Sequence, residues 1–416
     1  MNAIVNKTEY FGKTLAVPSK SSAHRLLIAA ALTPGKTVVE GIGESEDVVA
    51  TISCLTALGA RIERENGSAV VFGIEKVKTG GVLNAGESGS TLRFLLPVAA
   101  ALGAECVFEG KGRLFDRPNR SLLDAMNARG ARTDGKRIEG VMTSGDYPID
   151  ATVSSQYISG LLFALPLLKG DSRILLEGCA VSKNYIEMTL EVLALAGIKT
   201  KKTTEGFFVP GGQTYRMPDK VRCDGDWSSA AFMLVAGAVG KGVGVKGLRM
   251  DSLQGDKRIV DVLKTTGADV AVEGDTVTVK KGGDKPFEAD IEEVPDLAPI
   301  LAVLASSLKG KSRLKNVHRL TIKESDRLDA VCKMLSVSGI GFTKEEDDLL
   351  IEGGAPCGGA FDGRADHRMV MSAVILAGIC SGSSVVSCAE AVKKSYPSFF
   401  EDYKKIGGDF HVEVEG

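Results

Sequence analysis

The sequence predicts an α/β protein built from six copies of one helix-strand unit, three in each of two domains. Three observations lead there. A glycine ends a helix just before a strand at Gly59, Gly130, Gly197, Gly267, Gly339 and Gly407, a period of about 70 residues. Each unit opens with a helix that is apolar nearly all round. The length, 416 residues with 44% hydrophobic and 25% charged, suits two domains that each bury a core.

In chain order the opening helices read SAHRLLIAAAL, TLRFLLPVAAAL, QYISGLLFALPLL, SSAAFMLVAGAV, LAPILAVLASSL and HRMVMSAVILAG. A helix without a polar face belongs inside its domain. A Gly-containing turn, a short strand, an amphipathic second helix, the closing glycine and another strand complete each unit.

The 51 Lys and Arg balance 53 Asp and Glu, so nothing advertises nucleic acid or an anionic membrane as a partner. Eight cysteines are scattered singly, without CxxC or paired histidines, which speaks against zinc and against a disulfide framework. The first residues lack a signal-peptide pattern, and the apolar run from Phe94 to Leu102 is too short to span a bilayer. A cytoplasmic protein is expected.

Polar residues gather where helices begin. Lys20-Ser21, Glu87-Ser88-Gly89, Ser154-Ser155-Gln156, Asp226-Trp227-Ser228, Pro295-Asp296 and Asp366-His367-Arg368 precede or open the first helices. Asp116-Arg117-Pro118, Ser182 to Tyr185, Asp256-Lys257-Arg258, Lys323 to Arg327 and Lys394 to Pro397 are read as openings of second helices. Capping explains the Ser and Asp residues. It does not explain the cations, since a positive charge at a helix N-terminus costs ~0.3–1 kcal/mol unless an anion sits there. Lys20, Arg25, Arg117, Lys323, Arg327, Arg368 and Lys394 therefore point to an anionic ligand. The competing reading is a passive repeat scaffold, for which polar residues gathered at one place in each unit are a poor fit.

Familiar phosphate motifs fail. The GK[ST] triplets at Gly12, Gly35 and Gly310 lack the glycine five positions earlier that a P-loop needs. Gly242 to Gly247 matches GxGxxG but follows a helix, so it reads as a turn. No GxSxG elbow is present, and His24, His318, His367 and His411 have no metal-ligand spacing. His367, between Asp366 and Arg368, is the one histidine at a candidate site.

Pro18 to Ser21 with Arg25, the Gly89-to-Arg93 spacing, Asp116-Arg117-Pro118, Ser154-Ser155-Gln156, Ser182-Lys183 with Tyr185, Pro295-Asp296, Lys323 to Arg327, Asp366 to Met369 and Lys394 to Pro397 occur in an order and spacing that resembles the 5-enolpyruvylshikimate-3-phosphate synthase family of enolpyruvyl transferases. The resemblance runs the length of the chain. It implies a two-domain inside-out α/β barrel, with residues 19–224 inserted between 1–18 and 225–416, and an active site in the cleft between the domains. The implied reaction moves the enolpyruvyl group of phosphoenolpyruvate to the 5-hydroxyl of shikimate 3-phosphate by addition and elimination through a tetrahedral intermediate.

Carried over residue by residue, the resemblance assigns Lys20, Gly89, Arg117, Arg327, Arg368 and Lys394 to phosphoenolpyruvate. It assigns Ser21, Arg25, Ser154, Ser155, Gln156, Ser182, Tyr185, Asp296 and Lys323 to shikimate 3-phosphate. Asp296 is the implied base, Glu324 the acid at the methylene carbon and Lys20 a second proton carrier. Neither metal nor organic cofactor is implied, and a monomer is expected. Two blander readings compete: Asp296 capping its helix and Glu324 pairing with Arg327.

The pattern departs from the family at Glu87-Ser88-Gly89-Ser90, where Asn-Ala-Gly-Thr is usual, at Arg319 for an asparagine and at Asn184 for a proline. Glu87 must turn away, pair with a neighbour such as Arg93, or alter affinity. The nearest alternative is the sister transferase acting on UDP-N-acetylglucosamine, which typically carries Lys-Asn where this chain has Lys20-Ser21, and a loop cysteine that the segment Lys111 to Arg120 lacks.

Overall fold

The computed structural model describes residues 1–413. It divides into one unit made of Met1–Val17 with Asp224–Gly416 and another made of Pro18–Cys223. In the second, α1 (Lys20–Leu32), α3 (Gly89–Ala101) and α5 (Ser155–Ala164) are the opening helices, followed by α2 (Glu46–Leu58), α4 (Arg120–Asn127) and α6 (Lys183–Leu195). The first unit repeats the arrangement with α7 (Trp227–Val239), α9 (Ala298–Ser306) and α11 (His367–Ile379), followed by α8 (Ile259–Thr265), α10 (Arg327–Val337) and α12 (Phe399–Lys405).

The opening helices are buried along almost their whole length, as helices without a polar face must be. In the first unit α7, α9 and α11 pack on one another at the centre. Around them stand open four-stranded sheets of one pattern: a parallel edge strand, a central strand, then two antiparallel strands. Lys220–Arg222, for example, runs parallel to Lys36–Glu40, which pairs with Ser68–Phe72 and then Arg61–Glu65. No sheet closes into a barrel among the described residues. Asn2–Val5 pairs with Ser384–Val386 and Phe410–Glu413, and Phe11–Leu15 pairs with Gly242–Lys246, so the start of the chain fills places in two of the three sheets of the first unit.

All six closing glycines have positive φ, between 71° and 122°, a region where a side chain is strained. At Gly59 a Cβ would also lie 2.4 Å from the Lys76 carbonyl oxygen.

Two expectations are corrected. Gly242–Lys246 is the central strand of its sheet and not a turn; a Cβ on Gly244 would lie 3.2 Å from the Thr278 hydroxyl and 3.4 Å from the Lys13 side chain, so glycine suits this crowded strand. Arg117, Asp256 to Arg258, Lys323 and Lys394 precede their second helices, which start only at Arg120, Ile259, Arg327 and Phe399. Irregular or 3-10 turns carry them instead. No helix among the described residues is long and apolar enough to cross a membrane.

Candidate active site

Serine and aspartate prepare the helix starts. Ser19, Ser88, Ser154, Asp226 and Asp366 each accept a hydrogen bond from a backbone N–H in the first turn of α1, α3, α5, α7 and α11. The residue after each cap is thereby fixed, which places Lys20, Gly89 and Ser155 at first helical positions and Arg368 at a second.

In the unit Pro18–Cys223, Lys20 Nζ pairs with Asp47 at 2.8 Å, with side chains 16% and 5% exposed. Asp47 was not singled out in the sequence. Its signal was available in the repeat register, because Ser45-Glu46-Asp47 opens the second helix of the first repeat. The Asp47 carbonyl accepts from Thr91 at 3.4 Å, and Thr91 bonds the Ser88 cap at 2.8 Å. Next to that cap, a Cβ on Gly89 would lie 2.7 Å from Arg117 Nη1, so glycine lets this guanidinium rest close to the backbone. Glu87 turns toward Gly112, where a Cβ would lie 1.7 Å from its carboxylate oxygen.

Arg93 is held by neutral acceptors: Asn119 and Gln156 side chains at 2.7 Å each and the Pro118 carbonyl at 2.9 Å. Gln156 in turn donates to Ser90 at 2.9 Å. Arg25 donates to Thr189, the Ser21 carbonyl and the Tyr185 carbonyl at 2.9, 2.7 and 2.8 Å, and it lies over the Phe94 ring. Those three bonds use three of its five N–H groups. Ser21, Arg25 and Tyr185 are thus one locked group. Ser182, buried with φ 51°, starts α6 beside it.

The other unit holds the denser cluster. Arg327 is 1% exposed and meets three carboxylates: Asp296 at 2.8 Å, Glu324 at 2.8 Å and Asp366 at 2.8 Å. Asp296 gives its second oxygen to Arg368 Nη2 at 2.9 Å, and no cap bond from it to α9 is present. Of the blander readings, capping by Asp296 is therefore absent and pairing of Glu324 with Arg327 is present. Asp366, fully buried, also accepts from Ser325 at 3.0 Å and from the Arg368 backbone at 3.0 Å. His367 is buried, with Nδ1 3.7 Å from Asp366.

Burial opposes ionisation of Asp296, but Arg368, Arg327 and Lys323 outweigh it and hold its carboxyl well below the usual range. Burial also works against the Arg327 charge, and its three carboxylates more than compensate, so its pKa rises. Burial and then the Arg319 charge push Lys323 down to about 7, with Asp296 acting the other way. Arg319, 6% exposed, donates to the Glu292 carbonyl at 2.9 Å. Lys394 is buried at the end of the 3-10 turn Ala389–Lys394, which packs against α11.

Among the described residues no three His, Cys, Asp or Glu are grouped to hold a metal ion. In each unit, then, cations stand at helix starts or in the turns just ahead of them, and in the denser cluster Arg327 and Arg368 rest on internal carboxylates. Such an arrangement can accept an anionic ligand by exchange, one carboxylate for another.

A family model described as EPSP synthase (3-phosphoshikimate 1-carboxyvinyltransferase) matches residues 5–403. A 3-phosphoshikimate 1-carboxyvinyltransferase of Clostridium kluyveri is 39% identical over 415 residues, covering 97% of each chain. One of Clostridium perfringens is 35% identical over 416 residues, covering 97% of this chain and 98% of its own. The fold matches a solved EPSP synthase of Acinetobacter baumannii with a TM-score of 0.82, at 24% identity over 99% of both chains. The chain belongs to the EPSP synthase (3-phosphoshikimate 1-carboxyvinyltransferase) family.

Proposed function

We propose that the chain transfers the enolpyruvyl group of phosphoenolpyruvate to the 5-hydroxyl of shikimate 3-phosphate and releases phosphate. Full-length family membership supports this. The observation that carries the mechanism is the sharing of Arg327 and Arg368 by Asp296.

Both substrates are anions, so cations must be ready for them. In our reading, Arg327, Arg368 and Lys394 receive phosphoenolpyruvate together with Lys20, Gly89 and Arg117. Ser21, Arg25, Ser154, Ser155, Gln156, Ser182, Tyr185, Lys323 and Asp296 receive shikimate 3-phosphate. Residues 1–18 and 225–416 form one domain of this proposal and 19–224 the other.

While Arg327 and Arg368 rest on Asp296, its carboxylate is too weak a base to take a proton from an alcohol. A charge-assisted hydrogen bond is worth ~1.5–3 kcal/mol and one pKa unit ~1.4, so losing two such bonds raises the Asp296 pKa by roughly 2 or more. The incoming anion takes over the guanidinium groups and releases Asp296 as a base. Glu324, losing Arg327 in the same exchange, becomes able to carry a proton.

Addition then proceeds as the 5-hydroxyl oxygen bonds to C2 of phosphoenolpyruvate. Its proton goes to Asp296, and the methylene carbon takes one from Glu324. In elimination the new methyl group returns a proton to Glu324 as the C2–O bond to phosphate breaks, with Lys20 supplying charge and a proton to the departing group. Electrons are neither gained nor lost overall, so a redox cofactor has no part in the scheme. One chain supplies every group named, which suits a monomer; we place it in the cytoplasm.

The test is phosphate release with each substrate singly and together. Release only when phosphoenolpyruvate and shikimate 3-phosphate are both present is expected. Release with UDP-N-acetylglucosamine in place of shikimate 3-phosphate would move the assignment to the sister transferase.

A further inference from the structure

The opening helix of the first repeat carries a buried histidine that no step of the proposed transfer uses. His24 Nδ1 lies 2.7 Å from the Thr51 hydroxyl of α2, which lies 2.6 Å from the Thr91 hydroxyl of α3. Thr91 donates to the Ser88 hydroxyl at 2.8 Å and, more distantly, to the Asp47 carbonyl at 3.4 Å. His24, Thr51, Thr91 and Ser88 are all fully buried. One chain of polar atoms therefore runs through α1, α2 and α3.

Counting protons gives the chain a direction. A hydroxyl has one proton to give. Thr91 gives its own to Ser88 or Asp47, so it accepts from Thr51, and Thr51 in turn accepts from His24. The imidazole proton then sits on Nδ1 and leaves Nε2 bare. That agrees with the burial of Nε2 without a hydrogen-bond partner among the described residues, since an unfilled acceptor is tolerated more readily than an unfilled donor. Burial, against the pull of Asp47, pushes the imidazole down to about 3, so the ring is neutral.

The chain ends at groups assigned to phosphoenolpyruvate. Ser88 caps α3 just ahead of Gly89, and the Asp47 carboxylate pairs with Lys20 at 2.8 Å. His24 stands one turn after Lys20 on α1, and Thr51 one turn after Asp47 on α2. Lys20 and Gly89 come from different helices, and the Thr51 hydroxyl is the link between those helices. Ser21, Arg25 and Tyr185, assigned to shikimate 3-phosphate, are tied together instead through Arg25, which also bonds Thr189 of α6.

We propose that Thr51 is a positioning residue for phosphoenolpyruvate: by accepting from His24 Nδ1 and donating to Thr91 it holds the Lys20–Asp47 pair in register with the start of α3. The proposal rests on the functional reading above.

The test compares wild type with Thr51→Val, which keeps the shape and removes the hydroxyl, and Thr51→Ser, which keeps the hydroxyl. In Thr51→Val the KM for phosphoenolpyruvate should rise about 10-fold while that for shikimate 3-phosphate stays within ~2-fold. Thr51→Ser should bring the first constant back to within ~3-fold of wild type. A merely structural role would move both constants together. Equal changes in both, an unmoved KM for phosphoenolpyruvate, or a rise in Thr51→Ser as large as in Thr51→Val would overturn the proposal.

A second measurement needs no variant of Thr51 to fold. In the nitrogen NMR spectrum of the wild-type chain, with the His24 signals assigned by their loss in His24→Gln, Nδ1 should be the protonated nitrogen and Nε2 the bare one. Phosphoenolpyruvate should move the Nδ1 signal through the chain of hydrogen bonds, whereas shikimate 3-phosphate alone should not. A proton on Nε2, or an Nδ1 signal indifferent to phosphoenolpyruvate, would overturn the proposal. Absence of turnover in wild type would instead overturn the functional reading on which it stands.

Discussion

Asp296 faces Arg327 at 2.8 Å and, through its other oxygen, Arg368 at 2.9 Å. The proposed base is thus held by two of the cations proposed to bind substrate. Ground-state order and catalytic readiness are linked through one carboxylate.

Arg327 is 1% exposed among three carboxylates. Arg327→Met strands buried negative charge and should destabilise its unit by about 3–5 kcal/mol at pH 8. Lowering the pH lets the stranded carboxylates protonate, so the loss should shrink toward pH 5. Thermal unfolding at both values checks this; a loss under ~1 kcal/mol at pH 8 would mean that the cluster contributes little.

Lys20→Ala and Glu324→Ala should each lower kcat by at least ~100-fold without unfolding the chain. Circular dichroism and turnover measured together decide it. Near-wild-type rates in either variant would remove that residue from the proton scheme.

Lys323, pushed down to about 7, is charged below that value and neutral above it. Affinity for shikimate 3-phosphate should therefore fall as pH rises through about 7, and Lys323→Met should bind weakly at every pH with this fall removed. Titrations between about pH 6 and 9 test the point. A fall that persists unchanged in the variant assigns it to another group.

Asp256, pushed up to about 7, keeps a proton that the unfolded chain has already released between about pH 4 and 7. Stability from this group is therefore lost as pH rises through that window. Asp256→Asn should raise the Tm relative to wild type at pH 8 and by much less at pH 5. An equal shift at both values would contradict the assigned protonation.

The repeat was legible because two independent signals shared one period: helices with no polar face and glycines that only a positive φ explains. Short 3-10 turns such as Gly255–Arg258 and Ala389–Lys394 carry neither signal, so the start of α8 and of α12 was placed too early. The strand Gly242–Lys246 was hidden by glycines that serve close packing.

At the site the cations stood out because a helix N-terminus penalises them. Their partners did not. Asp47 reads as an ordinary acidic first-turn residue, and its approach to Lys20 across 27 positions is a product of folding. For Arg25, the sequence disclosed the charge but not that three of its bonds lie within the protein.

The exchange of guanidinium groups from Asp296 to substrate is tested most directly by Asp296→Asn. Phosphoenolpyruvate is titrated into wild type and variant in the presence of the 5-deoxy analogue of shikimate 3-phosphate, which cannot react. The variant should bind at least as tightly as wild type, by our reading about 10-fold more tightly, because a competing charge is gone, while its turnover with true substrates falls by ~100-fold or more. Weaker binding of phosphoenolpyruvate by the variant, in step with its loss of turnover, would contradict the exchange.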